Sequence, residues 1–179
     1  LFLSCTARNI AYRKKVFIEV GGYNDISHIN SGDDDLMLHK IATKTKWEIK
    51  YIADSDSLVQ SDIPKSIKSL YLQRLRYASK GLLYYNLSTP NEVKIILPFI
   101  YFTNLVCGIS ILLFINTLTV FWLIPLIVKS ICEIILISKY MSKININFKL
   151  LYFIVLMVIH PFYVIIFGGL APFLNVQWK

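Results

Sequence analysis

The sequence predicts a mixed α/β segment followed by an α-helical transmembrane region, and three observations carry that expectation. Of the 179 residues, 55% are apolar and the mean hydropathy is +0.55, more than a soluble domain of this size carries. Charge is placed unevenly: residues 1–94 hold 14 Lys/Arg and 10 Asp/Glu, residues 95–179 only 5 and 1. The pattern of apolar residues also changes, from short alternating or helical pieces in the first half to long unbroken runs in the second. These features exclude a disordered chain and a coiled coil, and the net charge of +8 is shared by both halves rather than gathered into a nucleic-acid patch. Cys5, Cys107 and Cys132 are scattered without a CxxC spacing, so neither a disulfide framework nor a zinc site is expected. The chain opens on Leu1, and LFLSCTARN lacks the leading charges of a signal peptide, so the sequence reads as a piece of a longer protein.

In the polar half, Val16–Val20 is a short apolar piece behind Arg13-Lys14-Lys15, and Gly21-Gly22 with Asn24-Asp25 signals a turn. Ser31-Gly32-Asp33-Asp34 opens a helix through an S-x-x-D capping pattern, with Leu38, Ile41 and Ala42 at helical spacing. Trp47–Ala53 alternates as a strand would, placing Trp47, Ile49, Tyr51 and Ala53 on one face. After Pro64, Ile67, Leu70, Tyr71, Leu75, Ala78 and Leu82 recur at helical spacing among Lys68, Arg74, Arg76 and Lys80, which is a basic amphipathic helix placed just before the membrane.

Between Lys94 and Lys129 lie 34 consecutive residues without a formal charge, nearly enough for two bilayer crossings. Two helices are expected, near Ile95–Ile115 and Leu118–Ser138, with the turn at Asn116-Thr117. Lys129 and Glu133 are four apart, so they share a face and neutralise one another where a lone charge would cost about 2.5–3.5 kcal/mol. Lys139, Lys143 and Lys149 fall in one loop, the mark of a cytoplasmic side, and an even number of crossings before it places the polar half in the cytoplasm too. A third run, Leu150–Leu174, crosses again, with His160-Pro161 and Gly168-Gly169 as points where it could kink or turn back. The resulting parts are 1–63, 64–94 and 95–179.

Two stretches could carry chemistry. Asp33, Asp34 and Asp35 sit at a helix start, where acids are favoured by the helix dipole without any function, but where a general base would also be well placed. Gln73-Arg74-Leu75-Arg76-Tyr77 could meet lipid phosphates, or pair an arginine fork for a diphosphate with an aromatic platform for a sugar. His28 and His39 have no partners at metal spacing, and His160 in its apolar run is either a functional group or a cap on a carbonyl freed by Pro161.

Taken together, SGDDDL, QRLRY about 40 residues later and the apolar spans resemble the membrane-bound family 2 glycosyltransferases, the group of cellulose, chitin and hyaluronan synthases. TARNIAYRKKVFIEVGGYND resembles that family's acceptor-side stretch, in which an Asn, here Asn9, an apolar strand and a GGY/F turn precede the acidic motif. QRLRY is similar to its Q-x-x-R-W motif at Gln73 and Arg76, with Tyr77 in place of Trp. The resemblance implies part of a GT-A-type α/β domain and inverting transfer of a sugar from a nucleotide-sugar donor to a lipid-linked or glycan acceptor. It implies Asp34 as the base, or Asp33 if Leu36 is aligned with the Leu after the family's E-D-x-D form. Gln73, Arg74, Arg76 and Tyr77 would line the diphosphate and acceptor site. A divalent cation, Mg or Mn, is implied for the intact enzyme, but its D-x-D motif would precede the acidic helix and is missing from this chain. Asp54-Ser55-Asp56 has the letters in the wrong place and reads as a solvated turn. Membrane lipids are expected partners and nucleic acid is not; the setting is the plasma (inner) membrane with the catalytic part cytoplasmic. The competing reading is a non-enzymatic membrane protein whose basic helix binds lipid.

Overall fold

The computed structural model describes residues 4–29 and 32–174, and its elements are helical: α1 (Lys14–Glu19), α2 (Asp33–Lys44), α3 (Ile67–Ser79), α4 (Asn91–Thr117), α5 (Ile124–Lys143) and α6 (Leu150–Leu170), joined by loops and 3-10 turns. Among the described residues there is no β-strand, so the α/β expectation, and with it the GT-A-type sheet, is overturned. Val16–Val20, implied as a strand, lies mostly in α1. Trp47–Ala53 has no partner strand among the described residues, and an extended segment without a partner makes no ladder. Of the predicted face, Ile49 leans on the core and the Trp47 indole N–H donates to Glu19 at 2.9 Å, while Tyr51 is exposed. The Ser31 cap falls outside the described residues.

The chain divides into two compact units. One comprises the chain up to Lys50, Val59–Pro98 and the segment from Leu170; the other comprises Tyr51–Leu58 and Phe99–Gly169. The predicted parts 1–63 and 64–94 therefore fall largely into a single unit.

In the first unit, α2 is buried on every side from Asp35 to Ile41. Met37 and Ile41 pack with Val16 of α1 and with Val20 just after it, while Leu36 packs with Ile26 and Tyr84. The GGY turn makes this possible. Gly21 and Gly22 take positive φ, and a Cβ on Gly22 would stand 3.0 Å from the Phe17 ring. Lys40, buried in α2, ties the turn down by donating to the Gly22 carbonyl at 2.6 Å and pairing with Asp25. Where α4 begins, Pro98 lacks the N–H that would bond the Lys94 carbonyl, and the Tyr85 hydroxyl takes that carbonyl at 2.9 Å. The 3-10 turn Ala171–Phe173 packs on α3, with Ala171 fully buried.

The second unit holds most of the apolar run. Helices over Asn91–Thr117, Val120–Lys143 and Leu150–Leu170 are each long and apolar enough to cross a membrane, close to the predicted spans, and we read the chain as a membrane protein. The first two are separated at Leu118, where φ is +55°. Neither His160-Pro161 nor Gly168-Gly169 breaks α6. The glycines are packing surfaces instead: a Cβ on Gly108 would lie 2.6 Å from Ile165, and one on Gly168 2.9 Å from the Tyr101 ring. Small residues let helix backbones approach where lipid supplies no hydrophobic drive. At these contacts α4 and α6 run in opposite directions, whereas a regular up-down-up bundle would run them parallel. Cys107, Ile111 and Leu126 form the buried cluster, against Met157 and Phe162.

The Lys129–Glu133 pair forms as expected, at 2.7 Å. Lys129→Ala leaves Glu133 unpaired among apolar helices and should lower stability by about 2 kcal/mol, read as the thermal midpoint of the detergent-solubilised protein. The double variant Lys129→Ala/Glu133→Ala should recover most of that loss.

Candidate functional site

The first turn of α2 grades its three carboxylates from solvent to core: Asp33 is exposed, Asp34 half-buried and Asp35 buried. The grading follows from 100° per residue on a helix whose remaining turns face the core. Gly32 starts the helix at φ +92°, a conformation that L side chains avoid.

Asp34 is held by two backbone donors. The Ala7 N–H reaches one oxygen at 2.9 Å and the Asp35 N–H the other at 2.9 Å. A carboxylate oxygen carries two lone pairs, so each retains one beyond these bonds, the requirement for accepting a proton from a bound hydroxyl. Ala7 belongs to TARN, whose turn is closed by the Asn9 N–H donating to the Thr6 carbonyl at 3.0 Å. Arg8 anchors the same loop by donating to Ser61 at 2.8 Å. Asn9 is exposed at the edge of this turn.

Asp35 is where the stretches meet. One oxygen accepts from the Ser4 hydroxyl and the Cys5 N–H, both at 2.8 Å; the other accepts from Lys80 Nζ at 2.5 Å and the Tyr84 hydroxyl at 3.3 Å. Burial pushes the Asp35 carboxyl up, but the hydrogen bond and charge of Lys80, with the donors from Cys5 and Ser4, outweigh it and leave the acid below its ordinary value. Burial and the same carboxylate push the Tyr84 hydroxyl upward, and burial with Asp35 and Asp34 pushes the Cys5 thiol up to about 12. Cys5 is thus a thiol at neutral pH and no nucleophile.

A depressed carboxyl contributes stability that is fully present above the unfolded aspartate value, about 3.9, and is lost as pH falls through the folded value. Asp25 has the same sign, its hydrogen bond from Lys40 lowering it to about 2. The thermal midpoint of the solubilised protein should therefore hold down to about pH 4 and fall between about pH 4 and 2. Lys80→Met should remove the Asp35 share of that slope.

On α3, Gln73, Arg74 and Arg76 are half-buried and Tyr77 is exposed. The Arg76 guanidinium lies 5.1 Å from the centre of the Tyr77 ring, within cation–π range. Leu75 is the buried anchor of the helix, while Ile67, Leu70, Tyr71 and Leu72 are exposed. Lys80 departs from its expected place on the polar face. It caps the helix and folds inward onto Asp35, joining the end of QRLRYASK to the mouth of α2.

Asp35, Lys80 and Tyr84 are the residues that sequence reasoning missed in their present role. Asp35 was one of three equivalent acids, and Lys80 one of four cations on an amphipathic pattern. The available signal was Gly32 before the acids, since a missing Cβ there leaves the path that Lys80 takes.

Among the described residues no group of three His, Cys, Asp or Glu side chains is placed to hold a metal ion, and the oxygens of Asp34 and Asp35 already accept protein hydrogen bonds. None of the described residues is therefore placed to form the divalent-cation site. Asp54 spends its carboxylate on the Ser57 N–H at 2.7 Å, capping a 3-10 turn. A groove lined by Glu19 and Thr43–Glu48 lies at the far end of α2, about 15 Å along the helix from the acids, and none of the candidate residues lines it. No family model, curated protein or solved structure matches the chain.

Proposed function

We propose that the chain is the acceptor-side part of an inverting glycosyltransferase bound to the membrane. The observation that carries the proposal is the meeting of three stretches at the acidic mouth of α2: the TARN loop donates to Asp34 through Ala7, while Ser4 and Cys5 just before it and Lys80 at the end of the QRLRY helix all donate to Asp35. These are the stretches whose order in the sequence resembles family 2 glycosyltransferases, and they are far apart along the chain.

In this reading Asp34 takes the proton of an acceptor hydroxyl, with Asp33 beside it as the more exposed alternative. The acceptor oxygen forms a bond to the anomeric carbon as the bond from that carbon to the diphosphate breaks. The electron pair departs with the diphosphate, and the configuration inverts. Arg76 and Arg74 supply guanidinium groups for a phosphate or acceptor oxygens, Gln73 a neutral amide, and Tyr77 a ring face for a sugar. Asn9 lies on the acceptor side. The nucleotide-sugar donor and its divalent cation would be held by residues outside this chain. The acceptor would be lipid-linked or a glycan, and the site would face the cytoplasm at the plasma (inner) membrane.

The test is incubation of membranes bearing the full-length protein with a panel of radiolabelled nucleotide sugars. Label entering a lipid-extractable or polymeric product supports transfer. No label from any donor, with the protein inserted and tight binding to vesicles rich in anionic lipid, would leave the lipid-binding reading, which the exposed apolar residues beside Lys68 on α3 favour.

A further inference from the structure

We infer that Lys80 and Asp35 form a lock that holds the last turn of α3 on the mouth of α2 and so positions Arg76 and Tyr77 relative to Asp34. The inference rests on the proposed transferase reading for its chemistry but on geometry for its existence. The pair is 2.5 Å apart with side chains 10% and 6% exposed, sealed by Tyr84 on one side and the Ser4–Cys5 segment on the other. Lys80 reaches it by crossing Gly32, where an added Cβ would stand 2.7 Å from Lys80 Cδ and 2.8 Å from Nζ. The path exists because residue 32 has no side chain.

The helix does the rest. Arg76 is four residues before Lys80 and Tyr77 three, so both lie on the Lys80 side of α3 within one turn, about 6 Å along the axis. Fixing Lys80 fixes the base of the arginine fork and of the ring stacked beside it. A buried pair of this kind is weak evidence for stability, because an apolar pair of similar volume often serves as well. Its value here is in specifying which turn of α3 meets which turn of α2. Neither residue touches substrate in this scheme; both are positioning residues.

The experiment compares Lys80→Met with Lys80→Arg in the full-length protein, by hydrogen–deuterium exchange and by transfer from the nucleotide-sugar panel. Lys80→Met is expected to speed exchange of the amides of residues 76–81 and 33–36 by at least about tenfold, leaving α4–α6 unchanged. It should lower kcat by about 100-fold with a smaller change in donor KM, and Lys80→Arg should recover most of both. Unchanged exchange at residues 76–81 in Lys80→Met overturns the lock, and so does an unchanged kcat in a protein whose wild type transfers sugar. The expected exchange pattern with no transfer by the wild type supports the lock and contradicts the proposed function alone.

Discussion

Asp34→Asn is expected to lower kcat for sugar transfer by about 10²–10⁴-fold, the range a positioned general base contributes, while the protein still folds and inserts. The amide keeps the carboxylate's shape and one acceptor oxygen, so the Ala7 or the Asp35 N–H retains its partner, and the lost hydrogen bond costs about 1 kcal/mol. What the amide cannot do is take a proton. Asp33→Asn, at an exposed position, should lower kcat less than tenfold if Asp34 is the base. The converse ranking would transfer the role to Asp33. Steady-state rates on membranes, normalised to folded protein, decide between the two, with thermal midpoints as the control for folding.

Gly32→Ala should be among the most destabilising single substitutions in the polar half. The left-handed φ of +92° costs an alanine roughly 1–2 kcal/mol. The new methyl also meets Lys80 at 2.7 Å, and Lys80 cannot swing aside without releasing Asp35 into a buried site. Stranding a buried charge costs about 3–5 kcal/mol, so the total approaches the whole stability of a marginal domain. The two substitutions should couple. With Lys80→Met already present, adding Gly32→Ala should cost only the backbone term, and a double-mutant cycle on thermal midpoints would expose the difference. Additive losses would mean that Lys80 does not pass over Gly32.

The membrane helices were legible because a bilayer imposes a length and a composition that few other settings require. The 34-residue uncharged run and the Lys129–Glu133 spacing placed the first two, and the run from Leu150 placed the third. The same reasoning misjudged Gly168-Gly169, because a glycine pair reads equally as a break or as a surface against which Tyr101 packs. In the polar half α2 was legible from its apolar spacing, whereas α1 was hidden by the three cations at its start. The strand over Trp47–Ala53 had the right alternation but needed a partner that periodicity cannot supply. The acidic turn and the arginine helix were found as motifs. The carboxylate on which they meet was not, since Asp33, Asp34 and Asp35 differ only in which side of the helix faces the core. Lys80 was concealed more deeply, because helical spacing continued past Ser79 while the chain turned inward.

Whether the acid at the mouth of α2 and the arginine of α3 serve one reacting centre is read from the rate of the double variant Asp34→Asn/Arg76→Ala. Groups acting as a unit are far from additive. With a shared centre, the double variant is expected to transfer sugar within about threefold of the slower single variant. A rate lowered by the full product of the two single losses would mean that Asp34 and Arg76 act independently, and would contradict a shared site.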